Sequence, residues 1–111
     1  MRKIEKELRD AINCQRPFSK GNTVFHPVAG REHEWELVLH GNPIALFRDD
    51  GDDPSYPIPD FVSLAGYTTK TTCSRLNALE GVRVHIKKGV PYLNGREIDP
   101  EGWWSPCNLH D

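Results

Sequence analysis

The stretch Trp35-Glu36-Leu37-Val38-Leu39-His40-Gly41-Asn42-Pro43-Ile44-Ala45-Leu46-Phe47 decides the fold class of this chain. Trp35, Leu37 and Leu39 alternate with Glu36, Val38 and His40, the period of two expected of a strand with one buried face. Gly41-Asn42-Pro43 reads as a tight turn, and Ile44 to Phe47 as the returning strand. A connection this short implies antiparallel pairing, because a parallel return needs a long crossover.

Working outward, Thr23 to Val28 reads as a further strand of the same meander. Residues 2–14 form an amphipathic helix, with Ile4, Leu8, Ala11 and Ile12 on one stripe. Glu5 and Arg9, like Lys6 and Asp10, are opposite charges four residues apart on that helix. Pro17, Ser19, Gly21 and Asn22 end it and make a loop. On the C-terminal side, residues 49–60 are a loop: Asp49, Asp50, Asp52 and Asp53 repel one another, and Pro54, Pro57 and Pro59 forbid regular ladder bonding. Phe61 to Leu64 suits a short strand. Thr68 to Thr72 offer N-cap oxygens to a short second helix reaching Leu79, with Gly81 at the C-cap position. Val82, Val84 and Ile86 then alternate with Arg83, His85 and Lys87, and Asn94-Gly95 is a strong hairpin signal. The tail around Trp103-Trp104 reads as irregular and folded back. The expected class is α+β: an N-terminal amphipathic helix, an antiparallel β-meander, a short second helix and a C-terminal β-hairpin, in a single domain over 1–111.

Composition narrows the functional classes. The chain has 111 residues, 37% of them hydrophobic, and a net charge of −2. That length supports one modest core without metal or disulfide staples. No apolar run approaches the roughly 20 residues that a membrane span needs, and the N-terminus alternates charges instead of resembling a signal peptide. Residues 1–31 carry +4, residues 32–60 carry −7 and residues 61–111 carry +1. A non-specific nucleic-acid binder normally has a basic surplus, so only a local patch could serve that role here. Cys14, Cys73 and Cys107 are odd in number and widely spaced, which argues against a disulfide framework and fits a reducing cytoplasm.

The residues that could carry chemistry do not assemble into a catalytic motif. Asp49-Asp50-Gly51-Asp52-Asp53 places its glycine wrongly for a calcium loop. Cys107 and His110 make a C-x-x-H pair without a second pair to complete a zinc site. His33-Glu34-Trp35-Glu36 lacks the second histidine of a helical zinc motif. His26 falls in the first meander strand, and His40 and His85 fall on polar strand faces. The four serines occupy no nucleophile elbow, and no phosphate-binding glycine loop occurs. No catalytic residue, metal ligand or cofactor is expected. Two surfaces stand out instead. Asp49, Asp50, Asp52 and Asp53 with Trp103 and Trp104 combine charge with aromatic rings, a composition suited to protein binding. Lys70, Arg75, Arg83, His85, Lys87 and Lys88 could serve nucleic acid, with Tyr67, Trp103 or Trp104 as stacking platforms.

Four blocks carry a resemblance. Met1-Arg2-Lys3-Ile4-Glu5-Lys6-Glu7-Leu8 with Ala11-Ile12, then Gly21-Asn22-Thr23-Val24, then Leu39-His40-Gly41-Asn42-Pro43-Ile44-Ala45, then Thr71-Thr72-Cys73-Ser74-Arg75-Leu76-Asn77-Ala78-Leu79, resemble a family of small accessory proteins of tailed bacteriophages. The similarity spans residues 1–79. It implies action in the cytoplasm of a bacterial host, through binding that inhibits or redirects a host protein complex, restriction and CRISPR complexes among them. It carries over no functional residue.

Overall fold

The computed structural model describes residues 2–31, 33–49 and 56–106. Helix α1 (Lys3–Asn13) buries Leu8, Ala11 and Ile12 as its apolar stripe requires, and Glu5 beside them. It ends before Pro17, in a left-handed residue, Gln15, with φ 50°. The Gln15 N–H donates to the Ile12 carbonyl at 3.1 Å and the Arg16 N–H to the Ala11 carbonyl at 2.9 Å. These two bonds are those of a Schellman turn, which satisfies the last carbonyls of a helix.

Five antiparallel strands follow in simple meander order: β1 (Phe18–Lys20), β2 (Thr23–Pro27), β3 (Glu34–Leu39), β4 (Asn42–Arg48) and β5 (Phe61–Val62). Strand β1 lies where the sequence reads as a loop; it pairs Phe18 with Phe25 and Lys20 with Thr23. Three residues between a helix end and a turn are too few to show a period. The β3–β4 turn falls at His40-Gly41 (φ 52° and 80°), one residue earlier than the sequence suggests. This left-handed pair matches the twist of a two-residue hairpin, so His40 sits in the turn and not on a strand face. A register shift at Leu37/Val38 lets Ile44 and Ala45 both be buried.

Helix α2 (Lys70–Asn77) has Thr69 as its N-cap, whose hydroxyl accepts from the Thr72 N–H at 3.2 Å. Its C-cap is Ala78, so Gly81 lies beyond the helix, where its Cα faces the Ile58 side chain. A second sheet of three antiparallel strands closes the chain: β6 (Val84–Lys87), β7 (Val90–Leu93) and β8 (Arg96–Glu97). Asn94-Gly95 forms the β7–β8 turn with φ 50° and 89°, as its dipeptide signal requires. Beyond β5, Trp104 bridges Val62 with a pair of backbone hydrogen bonds of 2.8 and 2.9 Å, so the tail does fold back.

One buried cluster joins these parts. Leu8 and Ile12 of α1, Leu76 of α2, and Val84 and Leu93 of the second sheet meet Phe25, Trp35, Leu37, Ala45, Phe47 and Val62 of the first. Phe25 stacks on Trp35 at 4.8 Å and takes the edge of Phe47 at 5.4 Å, geometries that aromatic quadrupoles favour. Strand alternation thus sends Phe25, Trp35, Leu37 and Phe47 inward and leaves Val24, His26, Glu36, Val38, Leu46 and Phe61 on the opposite face.

Candidate functional site

The basic segment splits into an interior and an exterior part. Arg75 is buried; its Nη1 donates to Glu5 Oε2 at 2.7 Å and its Nε to Thr23 Oγ1 at 3.0 Å. Ser74 Oγ also donates to Glu5 Oε2, and the Arg2 N–H reaches Glu5 Oε1 at 3.3 Å. Burial would raise the Glu5 carboxyl, but the hydrogen bonds from Ser74 and Arg2 and the Arg75 charge outweigh it and hold the pKa below the ordinary value. Glu5 therefore pairs across the fold with Arg75 and not with Arg9 on its own helix, while Arg9 pairs with Glu80. Spending its guanidinium on Glu5 and Thr23 removes Arg75 from any nucleic-acid surface. Lys70 starts α2 beside a different cavity, lined by Arg2, Glu5 and Cys73.

The exterior part is the β6–β7 hairpin. Arg83, His85, Lys87 and Lys88 are all exposed, whereas Val84 is buried. His85 stacks on Tyr92, its cross-strand partner, with ring centroids 5.1 Å apart and planes within 7°. Tyr92, and not Tyr67, Trp103 or Trp104, is thus the aromatic ring beside the basic strand. The signal that could have placed it is Lys88-Gly89: a two-residue turn there pairs 85 with 92. A cleft of about 770 Å³ borders the same strand and is lined by Arg9, Glu80, Arg83, His85 and Asn94, among others. Side-chain amides fix its walls. Asn77 clasps Val84, accepting from its N–H at 2.6 Å and donating to its carbonyl at 2.9 Å. Asn94 accepts from the Arg83 N–H at 2.9 Å and donates to the Gly81 and Pro106 carbonyls at 3.1 Å each.

Of the acidic and aromatic group, Asp49 accepts from Gln15 Nε2 at 2.9 Å and lies 3.2 Å from His33 Nδ1. Asp50, Asp52 and Asp53 lie outside the described residues, as do Cys107 and His110. The two tryptophans diverge. Trp104 packs against the core, and its Nε1 donates to the Asp99 carbonyl at 3.0 Å. Trp103 is 42% exposed, and Phe61 and Tyr67 are the other exposed large apolar side chains among the described residues. The Val62–Trp104 register places Phe61 and Trp103 on the same side, as diagonal neighbours about 7–8 Å apart. Asp49 follows the end of β4, whereas Trp104 is level with Val62 and Ala45, so the two are offset both across and along the sheet.

Other titratable groups serve the fold. Tyr56 donates its hydroxyl to the Ile12 carbonyl; burial first, then the Asp49 and Cys14 charges, push its pKa up to about 12. Burial raises the Cys73 thiol, and Cys14 is exposed and free. Among the described residues no three His, Cys, Asp or Glu side chains come together to hold a metal. No helix of the described residues is long and apolar enough to cross a membrane.

A family model for the Kyanoviridae Gp96 protein matches residues 1–107. The chain belongs to this phage family. The match extends past residue 79, where the sequence resemblance stops, and takes in both the acidic Pro-rich loop and Trp103-Trp104. No curated protein and no solved structure matches the chain significantly.

Proposed function

We propose that this member of the Kyanoviridae Gp96 family is a non-enzymatic accessory protein that binds a protein complex of the bacterial host and inhibits or redirects it in the host cytoplasm. One observation carries the reading: the outward face of the five-stranded sheet has an apolar strip that ends in exposed aromatic rings. Val24, Val38 and Leu46 lie half-buried across β2, β3 and β4, and Phe61 and Trp103 extend the strip to the sheet edge. On the same face His26 pairs at 2.8 Å with Glu36, which sits level with Leu46, and Arg31 pairs with Glu34 at 3.0 Å. An apolar strip set among polar pairs is the composition of a protein-binding surface. Asp49, the described member of the acidic run, follows β4 of this sheet. A binder rather than a catalyst also suits the Glu5–Arg75–Ser74 cluster, whose polar atoms are occupied by one another.

Affinity capture from nuclease-treated host lysate tests this, with restriction and CRISPR complexes as the first candidates. The wild type should retain a host protein that the double variant Phe61→Ser/Trp103→Ser loses while keeping its circular dichroism spectrum. Equal retention by the double variant, or no retained host protein, would overturn the assignment.

A further inference from the structure

We propose that the β6–β7 hairpin and the cleft beside it bind a single-stranded polynucleotide, on a surface separate from the apolar sheet face. Residues 81–95 contain Arg83, Lys87, Lys88 and His85 and no aspartate or glutamate, and Glu97 of β8, opposite Tyr92, is the carboxylate on the same sheet face. In a chain of net charge −2, this concentrates attraction for a polyanion on one element. Arg83, just before β6, and His85 and Lys87 within it are exposed while Val82 and Val84 are buried, which puts the three on one face, successive members about 6.6 Å apart. That repeat is comparable to the separation of successive phosphates in an extended strand.

The aromatic pair decides between single and double strands. Strand β6 is the edge of its sheet, and Tyr92 covers His85 from the inner side. The other face of the imidazole therefore looks outward, toward the cleft that His85 lines. An unpaired base can stack there, whereas a duplex keeps its base faces covered. The cleft volume of about 770 Å³ lies within the roughly 300–1,000 Å³ of small-ligand sites, room for a base and its sugar. The charged groups facing it are Arg9, Arg83 and His85 against Glu80, which is paired with Arg9. The Asn77 and Asn94 clasps hold the strand in place before a ligand arrives, which lowers the ordering cost of binding.

Fluorescence anisotropy tests the proposal with labelled oligo-dT and oligo-rU of about 15 nucleotides and a DNA duplex of the same length, in about 50 mM salt. One or both single strands should bind at least about tenfold more tightly than the duplex, and the two arms report which sugar is preferred. With Arg83, Lys87 and Lys88 as the exposed phosphate contacts, log affinity should fall against log salt with a slope of about −2. His85→Ala should weaken binding about tenfold without changing that slope. Lys87→Glu/Lys88→Glu should abolish binding, and Lys3→Glu/Lys6→Glu on α1 should leave it unchanged. No binding, equal affinity for the duplex, an inert His85→Ala, or equal competition by polyglutamate would each overturn the proposal; the last would point to an acidic protein surface.

Discussion

Arg75 and Arg83 stand eight residues apart in one basic stretch, yet the fold puts them to opposite uses. Arg75 lies at the α1–α2 junction, sealed against Glu5 and Thr23. Arg83 lies on the hairpin, exposed beside a cleft. The interior pair joins two elements that are far apart in sequence, whereas the exterior group leaves its charge to solvent. Burial, and not residue type, separates a structural cation from one that can meet a ligand.

The sharpest way to break this contrast is to remove each arginine in turn. Arg75→Ala leaves the Glu5 carboxylate buried without its counter-charge and should cost about 3–5 kcal/mol in urea unfolding. Arg83→Ala should stay within about 0.5 kcal/mol of wild type. Equal costs would erase the distinction. A smaller effect is expected at the clasp that attaches the hairpin to α2. Asn77→Ala strips the Val84 N–H and carbonyl of their partners and should cost about 1–3 kcal/mol. Hydrogen exchange should then rise first in β6 and not in the β3–β4 pair.

Acid should act on the interior region selectively. The folded pKa of Glu5 lies below its ordinary 4.5, so its contribution is complete above that value. It is lost as pH falls through the lower folded pKa. Urea midpoints measured from neutral pH into that acid range should therefore drop, and Glu5→Gln should flatten this part of the profile. At alkaline pH the sign reverses for Tyr56, whose pKa rises from 10 to about 12. Its stabilisation is complete below 10 and is lost as pH climbs toward 12. Tyrosinate absorbance should show one late-titrating group that Tyr56→Phe removes. A profile unchanged by that substitution would place the late titration elsewhere.

Legibility in the sequence followed the range of the interaction. The β3–β4 pair and the Asn94-Gly95 hairpin were readable because alternation and turn dipeptides are local signals. Strand β1 was not, since Phe18–Lys20 owes its pairing to β2 and has too few residues to display a period. Sequence spacing points Glu5 at Arg9, because spacing within one helix is visible and the approach of α2 is not. The candidate site divided in the same way. The exposed basic residues of β6 could be read off the strand period, but the Tyr92 partner of His85 depends on the Lys88-Gly89 turn. The adjacent tryptophans sit in a tail that reads as irregular, with no local signal that separates one ring from the other. Which one turned inward depended on the bridge to Val62.

By itself the sequence determined the α+β class, the amphipathic first helix, the antiparallel meander and the phage-family kinship, all carried by periodicity, turn chemistry or extended similarity. Tertiary structure alone decided which cations are spent inside, which aromatic ring stands beside the basic strand, and that Phe61 and Trp103 share an outward face. Those outcomes depend on contacts between residues as distant as Glu5 and Arg75, where burial and geometry set the energy and local pattern has no access to either.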